Sequence, residues 1–177
     1  MSEPSIRDQS LNSHGIYVAS SWRNLHQPRI VGLLREQGHL VYDFRHPHTG
    51  DDGFSWHEVD PNWKSWDTRK FRGALSHPLA ERGYQYDIDA LDTSEVVVLL
   101  LPSGKSAHVE AGYAAGRGRV VIVHSPGPEY VEPELMYKMF NAITTLGDNE
   151  LAVMLDRPLA QLEMLTLAAT TAWATFK

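Results

Sequence analysis

Six consecutive apolar residues, Val96, Val97, Val98, Leu99, Leu100 and Leu101, bounded by turn-forming residues on both sides, constrain this chain more than any other feature. A run of valine and leucine of that length predicts a strand buried on both faces, which belongs in the middle of a parallel sheet. Residues 102–106, PSGKS, read as a loop, residues 107–116 as a helix of small side chains able to lie close on a sheet, and residues 119–123 as a further strand. A strand–helix–strand unit of this kind closes with a right-handed crossover. In open α/β sheets, ligands bind in the crevice beyond the carboxyl ends of the strands. The loop holding Ser103, Gly104 and Ser106 is therefore the first candidate binding segment. Its backbone N–H groups and the positive end of the following helix favour an anion. Glu110 falls early in that helix, with Ala107, Ala111 and Ala114 as same-face neighbours. Its carboxylate either borders the crevice or complements the helix dipole on a solvated face.

The remaining chain supplies the neighbours such a strand needs. Residues 15–19, GIYVA, read as a first strand, and SSWRN follows it. Hydroxyls and an arginine after a strand suit a phosphate or carboxylate, or equally a helix cap beside a surface arginine. Helices are expected over 28–37, stopped by Gly38, and over 78–91, with strands over 39–44 and 140–144 and a short helix over 133–138. From Asp148 onward the pattern is helical, interrupted at Pro158, and an apolar terminal helix is expected over about 157–176. That helix covers a sheet face or forms a subunit interface. Residues 1–13 read as a flexible polar leader, leaving 14–177 as a single α/β domain.

Residues 45–77 break the pattern: they have little aliphatic content and contain His46, His48, His57 and His77 with Trp56, Trp63 and Trp66. A long aromatic segment in a compact domain reads as a lid. Trp56 and Trp63 either stack on a planar ligand or pack the lid onto the body. His46, His48, His57 and Glu58 match no zinc spacing, so neither a metal nor another cofactor is expected. Asp87, with Asp89 and Asp92, lies toward the carboxyl end of the crossover helix, where acids oppose the dipole and hint at a use.

Composition narrows the function classes. A net charge of −6 and a pI of about 5.8 argue against a nucleic-acid-binding surface. The absence of cysteine excludes disulfides and cysteine nucleophiles. No apolar run reaches the length of a membrane span, and a soluble cytoplasmic protein without membrane partners is expected.

An anion cradle, a stacking lid and paired carboxylates suit a phosphorylated sugar joined to a flat base. Breaking that N-glycosidic bond passes through an oxocarbenium-like state that a carboxylate can stabilise or trap, while an acid protonates the departing base. At these residues, over roughly 16–145 and best over YQYDIDALDTSEVVVLLLPSGKSAHVEAGYAAGRGRVVIV, the chain resembles the nucleoside 2-deoxyribosyltransferase family and its nucleoside 5'-monophosphate N-glycosidase relatives. The resemblance implies a flavodoxin- or Rossmann-like three-layer sandwich with a five-stranded parallel sheet and an aromatic-rich lid insertion. It implies Glu110, in HVEAGYAAGRG, as the nucleophile, Tyr17, in GIYVASSW, as the residue orienting it, and Asp87, in YQYDIDAL, as the acid serving the base. The SSWR segment would be the phosphate-binding loop, with Ser21 and Arg23 on the 5'-phosphate and Ser20 as a further substrate-binding residue. The chain departs from the family at Gly104, six residues before Glu110, where the transferases carry an aspartate; Ser103 or Ser106 would stand in. The implied partner is a small nucleoside or nucleotide, and the implied assembly a homodimer or larger homo-oligomer. A NAD- or ADP-ribose-directed glycohydrolase and a non-catalytic nucleotide-sensing module fit the same residues.

Overall fold

The computed structural model describes residues 12–130 and 132–166. In chain order, β1 (Gly15–Ala19), α1 (Gln27–Glu36) and β2 (Leu40–Tyr42) precede α2 (Trp56–Val59), α3 (Thr68–Ala74) and α4 (Pro78–Thr93). Next come β3 (Val96–Leu100), α5 (Lys105–Gly116), β4 (Val120–His124), β5 (Ala142–Thr144), α6 (Asp148–Leu155) and α7 (Leu159–Glu163). Short 3-10 turns lie at Trp63–Ser65, Pro128–Tyr130 and Leu135–Met139. The chain divides into two compact units, Met1–Val41 with Ser94–Lys177, and Tyr42–Thr93.

The first unit is built on the apolar run. All five residues of β3 are buried, and the strand pairs in parallel with β1 (Ile16 beside Val96) and with β4 (Val98 beside Ile122). β4 pairs in parallel with β5, giving a five-stranded parallel sheet of order β2-β1-β3-β4-β5. Side chains alternate across a strand, so the sheet has two apolar faces to cover. On one face Ile16, Val18, Val96, Val98, Leu100, Val120 and Ile122 form a core with Ile30, Val31 and Leu34 of α1 and Leu151 and Leu155 of α6. Onto the other face α5 packs against β1, β3 and β4, burying only alanines, Ala107, Ala111 and Ala114. Small residues at that spacing let the helix axis come close to the strands. This is the expected Rossmann-like α/β architecture.

Several boundaries differ from expectation, each for a local reason. The second strand stops at Tyr42 rather than Phe44, because Asp43 opens a turn: its carboxylate accepts the Arg45 N–H at 3.0 Å and its carbonyl the His46 N–H at 2.9 Å. The segment expected as a helix over 133–138 is the 3-10 turn Leu135–Met139, and Phe140 ends it by donating to the Tyr137 carbonyl at 2.9 Å, so β5 begins only at Ala142. The terminal helix is interrupted as the sequence suggests at Pro158, but α7 closes at Glu163, with Met164 as its cap; 167–176 lie outside the described residues. Most of the expected leader, 1–11, also lies outside them. Asn12 and Ser13 are held, donating to the carbonyls of Asp156 and Gly38, each at 2.8 Å.

Within Tyr42–Thr93, Ser55 caps α2 and Asp67 caps α3 by accepting the N–H groups of His57 and Lys70. Trp56 is the hub of an aromatic cluster, with ring centroids 4.7 Å from Phe54, 5.6 Å from Trp66 and 5.9 Å from Phe71. Phe54 comes so close to α4 that a Cβ on Gly83 would lie 2.8 Å from its own Cβ, which is why glycine is required in mid-helix there.

The apolar strands end in one buried polar group. His124, fully buried, receives the Thr144 hydroxyl at 2.6 Å on Nδ1 and meets Asp148 at 3.1 Å through Nε2. An ionised carboxylate only accepts, so Nε2 carries the proton and Nδ1 is the acceptor. Asp148 is also paired with Arg29. Burial first, then the Arg29 and His26 charges, push the His124 pKa down from 6.5 to about 4. A folded-state pKa below the unfolded one means the unfolded chain binds the proton more readily, so this contribution is lost as pH falls from about 6.5 to about 4. The stability gap between wild type and His124→Gln, measured by denaturant unfolding, should therefore shrink by up to ~3 kcal/mol between pH 7 and pH 4. A gap independent of pH would show that His124 is not held neutral.

Candidate functional site

The strand order places a switch point between β1 and β3. β1 leads outward through α1 on one face of the sheet and β3 leads the other way through α5 on the opposite face. The loops that follow them therefore part at the carboxyl edge and leave a crevice.

The loop after β1 is folded by its own hydroxyls. Ser20 donates to the Leu100 carbonyl at 3.2 Å. Ser21 Oγ accepts the Arg23 N–H at 3.2 Å, while the Ser21 carbonyl accepts the Asn24 N–H at 2.9 Å. That tight turn leaves Trp22 and Arg23 exposed, and the Arg23 guanidinium has no partner among the described residues. Asn24 is almost fully buried. Its amide donates to the carbonyls of Leu100 at 3.3 Å and Pro102 at 3.0 Å, and its Oδ1 accepts the His26 N–H at 2.8 Å. One side chain thus ties the loop after β1 to the loop after β3. Sequence reasoning passed over it, although a short amide between a strand and a helix is the residue type that bonds nearby backbone.

In the loop after β3, the Ser103 N–H donates to Glu132 Oε1 at 3.3 Å. Gly104, in extended backbone, begins α5 without a capping side chain, and Ser106 is exposed in the first turn. Glu110 follows in the second turn, partly buried and set among the buried alanines. Alternation puts Tyr17, which is buried, on the face of β1 that α5 covers, the same side of the sheet as Glu110. His108, also on α5, lies 2.9 Å from the Gly104 carbonyl and 3.3 Å from Ser103 Oγ through Nδ1, and 2.9 Å from the Tyr137 hydroxyl through Nε2. Burial, then the charges of Glu132 and Glu134, push Tyr137 up to about 12, so its phenol keeps the proton.

The first unit accordingly sets Ser20, Ser21, Arg23, Ser103 and Gly104 in the loops at the carboxyl edge, Ser106 and Glu110 in the first two turns of α5, and Tyr17 in the middle of β1. Asp87, Trp56 and Trp63 belong to Tyr42–Thr93. There, Asp87 on α4 accepts the Tyr42 hydroxyl at 2.9 Å, Trp56 is engaged by its aromatic neighbours, and Trp63 is exposed beside Lys64. Among the described residues no three His, Asp or Glu side chains are gathered as a metal centre, and no helix is long and apolar enough to cross a membrane. Hydroxyls, backbone donors and a carboxylate at one sheet edge are equipped to hold a small polar molecule and to attack or stabilise an electrophilic carbon.

The chain matches no protein-family model and no curated protein. In three dimensions it is similar to a 2-deoxyribosyltransferase from the psychrotolerant bacterium Bacillus psychrosaccharolyticus, with 16% identity and a TM-score of 0.51, covering 87% of this chain and 93% of that one. It is also similar to a CMP N-glycosidase of Clostridium botulinum, with 14% identity and a TM-score of 0.46, covering 80% and 98%. The first likeness shows that the fold is shared.

Asn24→Ala removes both donors from buried carbonyls and the acceptor from His26. It should cost ~1–3 kcal/mol of stability and speed hydrogen exchange at the His26 amide. Unchanged His26 protection would show that Asn24 does not tie the loops.

Proposed function

We propose that the protein cleaves the N-glycosidic bond of a nucleoside or nucleoside 5'-monophosphate, with Glu110 as the nucleophile. The observation that carries this reading is the position of Glu110, partly buried in the second turn of α5 beside the switch-point loops, in a fold shared with a 2-deoxyribosyltransferase. In the first step a Glu110 carboxylate oxygen bonds to the anomeric carbon as the carbon–nitrogen bond breaks, and the bonding pair leaves on the base nitrogen, which takes up a proton. Water then opens the glycosyl ester in a hydrolase, or a second base does so in a transferase. Tyr17 orients the carboxylate, Ser20, Ser21 and Arg23 take a 5'-phosphate, and Ser103, Gly104 and Ser106 face the sugar.

The family resemblance adds Asp87 as the acid serving the base and Trp56 and Trp63 as stacking residues. The case for Glu110 stands without them. It also implies a cytoplasmic homodimer or larger homo-oligomer.

Base release, followed by chromatography over ribo- and deoxyribonucleosides, their 5'-monophosphates and NAD, tests the reading. Glu110→Gln should lower release by at least ~10³-fold while leaving ligand binding nearly unchanged. Release by the variant near the wild-type rate removes Glu110 as nucleophile, and wild type inert on the whole panel sinks the glycosidic reading. Arg23→Ala should raise KM for 5'-monophosphates ~10–100-fold, the loss of a charge-assisted contact, and leave free nucleosides nearly untouched. Equal losses on both substrate classes would take Arg23 out of phosphate binding.

A further inference from the structure

The backbone donors after β3 favour an anion, and the chain itself supplies one. Glu132, partly buried in the connection between β4 and β5, accepts the Ser103 N–H at 3.3 Å. Its charge reaches further, since with Glu134 it helps hold the Tyr137 phenol protonated. Proton positions next to it then follow. The Gly104 carbonyl can only accept, so His108 Nδ1, 2.9 Å away, carries a proton, and in the neutral form of the ring Nε2 accepts from the Tyr137 hydroxyl at 2.9 Å. Ser103 Oγ, 3.3 Å from the same Nδ1–H, is an acceptor toward His108. Its own hydroxyl proton has no acceptor among the described residues. Ser103 thus has a donor to offer beside a carboxylate that only accepts.

A phosphate, which accepts and carries negative charge, would meet a like charge beside the Ser103 hydroxyl. A sugar hydroxyl, donor and acceptor at once, would meet a partner for each role. We infer that Glu132 is a specificity-determining residue: it turns the loop after β3 into a receptor for an uncharged, hydroxyl-bearing part of the substrate and keeps phosphate out of it. This deepens the N-glycosidic reading and rests on it. A substrate phosphate is then left to the loop after β1, where Arg23 is exposed.

The test follows the Ser103 amide resonance in the ¹⁵N-labelled full chain, with inorganic phosphate and free nucleosides as probes. Nucleosides should shift this amide in wild type and bind at least about tenfold more weakly to Glu132→Gln. Phosphate should shift it in Glu132→Gln and not in wild type. Glu132→Asp, which keeps the charge, should still exclude phosphate, and it serves as the reporter if the glutamine variant does not fold. A wild-type Ser103 amide that responds to phosphate overturns the inference. So do nucleosides that bind wild type and Glu132→Gln equally, an outcome that leaves the glycosidic reading intact. Wild type binding neither nucleosides nor nucleotides anywhere overturns that reading, and the inference with it.

Discussion

Burial of β3 on both faces is the constraint from which the remaining architecture follows. Each fully buried valine or leucine is worth ~1.5–3 kcal/mol, against ~1 kcal/mol net for a typical hydrogen bond. Five such residues therefore decide where the strand lies, and polar groups are arranged around that decision. A strand with no solvated side needs parallel neighbours and helices on both faces. Supplying them puts the carboxyl ends of β1, β3 and β4 along one edge, and the loops that follow β1 and β3 with them.

At that edge the chemistry changes character within one residue. His124 and Thr144 continue the alternation of the core strands, yet they are buried polar groups that must be satisfied. Thr144, His124, Asp148 and Arg29 satisfy one another in sequence, joining the ends of β4 and β5 to the starts of α6 and α1. Asn24 performs the same service between β1 and β3. The apolar sheet fixes the positions of the loops; these short polar links fix their shapes.

How much of this was legible depends on the range of the interactions. β3 and the alanine face of α5 could be read directly, since a continuous apolar run and a helical spacing of small residues are local signals. The start of β5 and the end of β2 could not, because turn bonds made by Asp43 and Tyr137 override strand-forming residues such as Phe44 and Phe140. His124, one residue past the strand read over 119–123, ends β4, and only its long-range partners Thr144 and Asp148 explain why a histidine is buried there. The positions of Ser103, Ser106 and Glu110 just beyond the central strand could be read in advance, a consequence of topology. Glu132 left no signal, as a glutamate between prolines reads as solvated surface.

That last case shows how the connection between β4 and β5 acquires its part. Parallel strands usually return through an α-helix, but Pro126, Pro128 and Pro133 remove N–H donors and crowd any helical turn across this segment. The chain instead makes 3-10 turns, Pro128–Tyr130 and Leu135–Met139. Three of its side chains reach the other loops or α5: Tyr130 meets His26 edge-on at 4.8 Å, Glu132 accepts from Ser103, and Tyr137 bonds His108 of α5. A helix lying along the sheet would have spent those side chains on packing. By forbidding it, the prolines keep an acidic and aromatic segment at the edge, where its carboxylates set the electrostatics of the loop after β3 and its phenol fixes the proton on His108.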